Sequence, residues 1–253
     1  MQPSKESWRT WNHDNAYGDV LYRRAVGELP EMESSKAAAR RMKPLVGKGD
    51  RVLDVGCGAG HYLVSLRREL GVQFDYTGAD ATAHYLDLAA KAFANDTNAR
   101  FQQADIFNLP FADCSYDVVM CNNVLLHLPS IAKPLSELVR VTKKKLLVRM
   151  LCGERTFMIR DVWPGDHEFD EQGQPNVFNH YNIYSKSYVS SLLKAMPEVA
   201  EFSIEDDKDF ILSQVGNSAA ENNFRFNGTY VLDNWQVNGY ILQPWAFVTV
   251  HKR

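Results

Sequence analysis

Between residues 51 and 151, short apolar runs alternate with longer stretches in which apolar side chains recur every three or four positions. The runs are RVLDVG (51–56), FDYTGAD (74–80), ARFQQAD (99–105), YDVVMC (116–121) and KLLVRML (145–151). They are brief, rich in Val, Leu, Tyr and Phe, and without strict alternation, as strands buried on both faces of a parallel sheet are. The stretches between them read as amphipathic helices. Leu63, Leu66 and Leu70 line one face of 60–70; Leu86, Ala90 and Phe93 do so in 83–94; Ile131, Leu135, Leu138 and Val139 follow a Ser130 cap. Pro134 falls in the first turn of that last helix, where a missing N–H does little harm. Strand and helix in this alternation predict an α/β, doubly wound sheet whose ligand site lies outside the carboxyl ends of the strands.

The flanks follow other patterns. Residues 1–50 read as a helical cap or lid: a first segment carries Trp8, Trp11, Tyr17 and Tyr22, and a second, LPEMESSKAAARRMKPLV, takes Ser34 or Ser35 as its N-cap, with Glu31 and Glu33 as charges just before it. Residues 153–183 are polar and aromatic and too long for a simple connection, so they predict a lid or a binding insertion. A helix over 185–196 follows, capped by Ser185 and turning Tyr188, Val189, Leu192, Leu193 and Met196 inward. Two further strands, near 201–212 and at AFVTVHKR (246–253), enclose an Asn/Gly-rich span, 213–244, with a hairpin expected around Asn227-Gly228. No repeat or linker divides the chain. It is read as a single domain, 1–253, with 51–151 as its ligand-binding core and 152–253 as substrate-side insertions and last strands.

Composition narrows the function classes. Over 253 residues, Lys plus Arg number 28 against 31 for Asp plus Glu, a formal charge of -3. That balance disfavours a nucleic-acid or membrane-surface binder. Lys143-Lys144-Lys145 is read as the positive end of a helix. No run approaches the roughly 20 apolar residues of a membrane helix, and the N-terminus lacks the apolar core of a secretory signal. Cys57, Cys114, Cys121 and Cys152 show no CxxC spacing, which predicts a reduced, cytoplasmic protein without a disulfide framework or zinc knuckle.

The chemistry concentrates at Asp54-Val55-Gly56-Cys57-Gly58-Ala59-Gly60, directly after one strand and opening a helix. Glycines there allow a tight turn and close approach of a ligand to the backbone. Asp80 ends the next strand and Asp105 the one after. The first suits the hydroxyls of a ribose and the second an adenine amino group, so three strand-end acids around one glycine loop point to an adenosine-containing ligand. The dinucleotide fingerprint GxGxxG reads here GCGAGH, with His61 at the third glycine, and no GxxxxGK[ST] loop is present. Dinucleotide and nucleoside-triphosphate chemistry are thereby disfavoured, and an NAD-dependent dehydrogenase or epimerase is the rival reading.

These residues resemble the class I S-adenosylmethionine-dependent methyltransferases, particularly the broad group acting on small molecules (the type 11-like group). VLDVGCGAG is similar to their first motif, TGAD to their ribose-binding acid, ADIFNLPF to their adenine-contacting segment, and FADCSYDVVMCNNVLLHL to their fourth-strand signature. The resemblance covers 51–151. It implies a Rossmann-like, seven-stranded, mostly parallel sheet with a reversed last strand, and S-adenosyl-L-methionine as cofactor. It further implies that the Gly56, Cys57 and Gly58 loop lies against the amino-acid part of the cofactor with Asp54 in support. Asp80 would bind the ribose, Ala81 and Ile106 would flank the adenine, Asp105 would take its amine, and the Asn122 backbone would follow the methionine. Tyr17 closes over the cofactor in this reading. The fourth strand exits on Asn122-Asn123-Val124-Leu125 and lacks the Asn/Asp-Pro-Pro-aromatic turn of enzymes that methylate nucleobase or glutamine amides.

Methyl transfer to a hydroxyl benefits from a general base, and His127, just beyond the fourth strand, is the catalytic candidate because imidazole titrates near neutrality. Tyr22, Asn123, Trp163, His180, Tyr181 and Trp235 are the candidate acceptor contacts, with Phe178, Tyr184, Tyr230 and Trp245 as further aromatic walls. His13 is a further histidine that the N-terminal lid could bring to the site. Asp161, Asp166, His167, Glu168 and Asp170 lack a diagnostic ligand spacing and are read as a solvated loop, so no metal is assigned. The function expected is methyl transfer to a small polar acceptor, at the oxygen of a sugar or other hydroxylated metabolite, with N-methylation of a small amine and a non-catalytic cofactor-binding module as alternatives. The partners expected are a small molecule and no nucleic acid or membrane insertion, and a homodimer is left open.

Overall fold

A computed structural model describes residues 15–162, 169–208 and 245–253, together with the backbone of 229–232 and 235–238. The expectations for Trp8, Trp11, His13, Trp163, Asp166, His167 and Glu168, and for the side chains of Tyr230 and Trp235, lie outside the described residues. In chain order the helices are α1 (Asn15–Ala25), α2 (Glu33–Met42), α3 (His61–Leu70), α4 (Ala83–Ala92), α5 (Ala132–Val141) and α6 (Lys186–Lys194). The strands are β1 (Arg51–Val55), β2 (Asp75–Asp80), β3 (Ala99–Gln103), β4 (Tyr116–Asn122), β5 (Thr142–Gly153), β6 (Arg160–Asp161), β7 (Asn179–His180), β8 (Tyr184–Ser185), β9 (Val199–Asp206), β10 (Thr229–Leu232), β11 (Trp235–Asn238) and β12 (Trp245–Lys252).

The main sheet runs β3-β2-β1-β4-β5-β12-β9, with β8 beside the end of β5. Strands β1 to β5 are parallel, and β12 lies antiparallel to both β5 and β9. The reversed last strand is therefore present. Among the described residues the sheet counts eight strands where seven are expected, because two-residue β8 pairs through Cys152↔Tyr184.

Neighbouring residues of the central strands feed two cores, one on each face. Leu53, Val119, Cys121, Leu146 and Val248 pack with α5 and α6, whereas Val52, Val118, Met120, Leu147 and Phe247 pack with α2 and α3. Burial on both faces is why these strands read as continuous apolar runs. Among the described residues no helix is long and apolar enough to cross a membrane.

Several local expectations are corrected. Helix α2 is capped at Met32, with Ser34 and Ser35 already inside and buried, where Ser35 Oγ donates to the Met32 carbonyl and Ser34 Oγ accepts from Tyr62. Ile131, not Ser130, is the N-cap of α5, and no side chain caps it. Ser185 does cap α6, accepting from the Tyr188 N–H at 3.1 Å, but Tyr188 itself is exposed. Lys143 to Lys145 lie in β5, not on a helix end, because Thr142 leaves helical geometry; Lys144 Nζ reaches Asp50 at 2.7 Å and Asp117 at 3.1 Å. The late hairpin pairs β10 with β11 through Leu232↔Trp235, so it turns beyond Asn227-Gly228.

Candidate functional site

A cavity of about 210 Å³ opens at the carboxyl ends of β1, β2 and β4. Its lining includes Tyr17 and Leu21 of α1, Gly56 and Gly58, Asp80 and Ala81, Asp105 and Ile106, Asn122 and Asn123, and His127. The switch from β1 to β4 places it where an open α/β sheet binds ligands. Thus eight of the ten expected cofactor contacts share one cavity.

The glycine loop is held from behind. The N–H groups of Gly56 and Cys57 donate to the Ala79 carbonyl, at 2.7 and 3.1 Å, and the Gly58 N–H donates to Asp80 Oδ2 at 2.8 Å. Asp80 Oδ1 accepts from the Thr82 N–H at 2.9 Å. With these donors engaged, the loop offers a ligand its bare surface more than its hydrogen bonds. At Gly56, φ is +79°, and a Cβ would sit 2.2 Å from Val124 Cγ2, so only glycine fits between the β1 exit and the β4 exit.

Asp54 and Cys57 do not line the cavity but lie beneath the loop that does. Asp54 is buried beneath the loop and accepts from Tyr76 Oη at 2.8 Å; burial pushes its carboxyl up to about 7, partly offset by that hydrogen bond, with Asp80 adding to the rise. Cys57 is buried under the loop, where desolvation raises its thiol well above the ordinary value. Burial likewise raises Asp80, while the N–H groups of Thr82 and Gly58 pull it back. Asp105 closes its own turn, accepting from the Phe107 N–H at 2.9 Å.

Two polar side chains are left unsatisfied at the wall. Asn122 is 6% exposed and lines the cavity, yet neither its Oδ1 nor its Nδ2 has a partner among the described residues. His61, also buried there, has no partner at Nδ1, and desolvation, with Arg24 nearby, lowers it to about 3 and keeps it neutral. Buried polar atoms without partners are costly unless a ligand completes them.

His127 ends a 3-10 turn, Leu125–His127, that follows β4. Its Nδ1 lies 3.1 Å from the carbonyl oxygen of His180. A carbonyl only accepts, so Nδ1 carries the proton and Nε2 the basic lone pair. The ring also meets Tyr181 edge-on, at 5.8 Å between centroids.

Of the expected acceptor contacts, Asn123 alone lines the cavity among those whose side chains are described. Its backbone is left-handed, with φ +59°. Its Nδ2 donates to Tyr62 Oη at 3.1 Å and its Oδ1 accepts from Arg149 at 2.7 Å. Tyr22 turns instead to α4, where Lys91 Nζ stands 4.9 Å over its ring. His180 and Tyr181 stand behind His127 and off the lining, and Phe178, Tyr184 and Trp245 are likewise off it. Trp245 stacks under Arg149 at 4.2 Å.

Arg149 was not anticipated. It is 1% exposed and paired with Asp207, from Nε at 2.9 Å and from a terminal nitrogen at 2.8 Å. Its signal in the sequence is a cation in the middle of the apolar run KLLVRML.

Comparison with known proteins follows the same core. A family profile described as a methyltransferase domain matches residues 47–163. An uncharacterized methyltransferase of Schizosaccharomyces pombe is 30% identical over 153 residues, covering 57% of this chain and 54% of its own. The demethylmenaquinone methyltransferase of Staphylococcus aureus is 33% identical over 120 residues, covering 47% of this chain and 50% of its own. The chain thus spans about half the length of the curated relatives it matches. Among solved structures, the putative methyltransferase of Haloferax volcanii, in complex with the Trm112 methyltransferase activator, superposes with a TM-score of 0.58 at 19% identity, covering 93% of this chain and 96% of that one. Phosphoethanolamine N-methyltransferase 2 of Haemonchus contortus, solved with S-adenosyl-L-methionine, also reaches 0.58, at 15% identity, covering 98% of this chain and 60% of that one.

Proposed function

We propose that this chain, whose residues 47–163 match a methyltransferase-domain profile and whose fold is shared with solved methyltransferases, binds S-adenosylmethionine and transfers the methyl group to a hydroxyl of a small polar acceptor. The observation that carries the reading is the cavity itself, a glycine floor with strand-end acids on one side and a histidine of fixed tautomer on the other.

The residues present fit this cofactor. Gly56 and Gly58 line the cavity as backbone without side chains, so an extended group can lie directly against the loop. The carboxamide of Asn122, donor and acceptor together, matches the ammonium and carboxylate of an amino-acid moiety. Asp80 keeps lone pairs for ribose hydroxyls after accepting from Gly58 and Thr82, and Ala81, Ile106 and Asp105 would enclose the adenine. When bound, S-adenosylmethionine supplies an activated methyl group on a sulfonium, so the protein contributes mainly proximity and orientation.

For an oxygen acceptor, His127 takes the hydroxyl proton on Nε2 while its Nδ1–H stays on the His180 carbonyl, which also stabilises the imidazolium formed. Asn123 supplies a polar wall beside it. Sugars and other hydroxylated metabolites are the acceptor class favoured, because the described lining contains no lysine or arginine to seat an anion.

The test begins with calorimetric titration of the cofactor-stripped protein with S-adenosylhomocysteine and with NAD. Binding of the first alone is expected; binding of NAD alone would overturn the reading in favour of a dehydrogenase. A panel of sugars and catechols, assayed for methyl transfer, then tests the acceptor class. On a member of that panel, His127→Ala should lower the rate by roughly 10²–10⁴ with cofactor affinity kept. A rate unchanged by that substitution would remove His127 as the base, whereas no turnover across the panel would favour an amine acceptor.

A further inference from the structure

The residues from Gly153 to Ile183 would, as a lid, be attached mainly at their ends. Instead the described part is fastened to the 3-10 turn that bears His127. Phe157 and Ile183 exchange a pair of backbone hydrogen bonds, at 2.8 and 2.9 Å, and Tyr181 N–H donates to the Ile159 carbonyl at 3.0 Å, so the two arms of the insertion form a small ladder. Strands β6 and β7 extend it through Asp161↔Asn179 and Arg160↔His180.

One residue joins that ladder to the turn. Asn182 is 0% exposed. Its backbone N–H donates to the Leu126 carbonyl at 2.8 Å, and its Nδ2 donates to the Leu128 carbonyl at 2.8 Å. These are the residues on either side of His127. Its Oδ1 accepts from the Ile159 N–H at 2.9 Å, and Nδ2 also reaches Tyr184 Oη at 3.3 Å, so every polar atom of the carboxamide is used. Two residues earlier, the His180 carbonyl receives His127 Nδ1. The stretch His180–Tyr181–Asn182 therefore grips His127 by both flanking carbonyls, by its ring nitrogen and by the edge contact of Tyr181.

We propose that Asn182 is the positioning residue of the site: by clamping the Leu126 and Leu128 carbonyls it holds the His180 carbonyl opposite His127 Nδ1, and so fixes the tautomer in which Nε2 is the basic nitrogen. The inference rests on the reading of His127 as the base for its consequence in catalysis, but the tautomer it predicts is independent of that reading. The site asks for one acceptor and one donor on the same short side chain. Aspartate cannot donate to the Leu128 carbonyl, and a hydroxyl cannot span from the Ile159 N–H to that carbonyl.

The test is the long-range 1H–15N spectrum of the full chain with 15N-labelled histidine, His127 being assigned by its loss in His127→Ala. The wild-type protein is expected to show the Nδ1–H tautomer at this residue. Asn182→Ala is expected to give a mixture of the two tautomers and, on an acceptor from the sugar and catechol panel, a fall in kcat of at least about tenfold, with KM and S-adenosylhomocysteine affinity little changed. An Nε2–H tautomer in the wild-type protein overturns the proposal even if the variant fails to fold. So does an Asn182→Ala protein that keeps both the wild-type tautomer and the wild-type kcat. Should His127→Ala keep its full rate while the tautomer behaves as described, the positioning inference stands and the base reading falls.

Discussion

In the proposed function one carboxylate, Asp80, serves the loop and the ligand together. Both of its oxygens already hold backbone N–H groups, those of Gly58 and Thr82. Asp80→Ala should therefore weaken S-adenosylhomocysteine binding by about 1.5–3 kcal/mol, the scale of a hydrogen bond to a charged group. It should also lower the melting temperature without ligand, since two buried donors lose their acceptor; Asp80→Asn should fall between. Calorimetry on the three proteins decides it, and unchanged affinity in Asp80→Ala would contradict the ribose assignment. Arg149 poses the complementary case, a buried cation off the cavity lining. Its partner Asp207 is as deeply buried, so Arg149→Met removes the cation that faces a buried carboxylate and should cost about 3–5 kcal/mol by urea unfolding. Adding Asp207→Asn should recover a large part of that loss. If the double variant is no better than the single one, the cost comes from the lost Asn123 contact and the stacking on Trp245 instead.

At the level of elements, what the sequence disclosed was what periodicity and burial share. Strands β1, β2, β4 and β5 and helices α3, α4 and α5 were legible because both their faces, or one clear stripe, are apolar; β3 forms where expected but as an exposed edge strand, not one buried on both faces. The starts of α2 and α5 were not. Ser34, Ser35 and Ser130 have cap chemistry, but Ser34 and Ser35 are drawn into buried hydrogen bonds with Tyr62 and Ser65, a tertiary outcome that local pattern does not encode. The lysine triplet was misplaced because Asp50 and Asp117, distant in sequence, hold a basic strand start. In the site, residues at strand ends were legible through the glycine loop and its acids. The inward or outward aim of Tyr22, His180 and Tyr181 depends on how α1 and the insertion pack, and no spacing records that. The glycine loop also offers an element-scale prediction. Gly56→Ala adds a left-handed strain, of order 1–2 kcal/mol, to a collision with Val124, whereas Gly71→Ala, at φ +66° with nothing within 4 Å of its Cβ, adds the strain alone. Chemical denaturation should show Gly56→Ala clearly the more damaging, with cofactor binding lost in it and kept in Gly71→Ala. Equal losses would mean that Val124 yields and the loop is not sterically fixed.

For the whole molecule, the buried groups around the cavity set opposing responses to pH. Asp54 ionises near 3.8 when unfolded and near 7 in the folded protein. Between these values the folded state holds the extra proton, so stability falls as pH rises. His61 titrates near 6.5 unfolded and near 3 folded; between those values the unfolded chain holds the extra proton, and stability rises with pH. The two windows overlap from 3.8 to 6.5, where the slopes oppose. Asp80, raised by burial, reinforces the first slope, and His180, lowered by burial, the second. The ligand-free wild-type protein should consequently melt at a temperature that changes little between pH 4 and 6.5 on account of these groups. Each substitution should unmask the other's contribution. Asp54→Asn keeps an acceptor for Tyr76 and should melt at progressively higher temperature as pH rises through that range, relative to wild type. His61→Gln should show the reverse, losing stability from about pH 4 toward 7. Melting curves of the three proteins across that range test the pair together. Parallel profiles for all three would mean that neither group carries its burial into the folding equilibrium, and that the floor of the cavity admits water freely enough to solvate both.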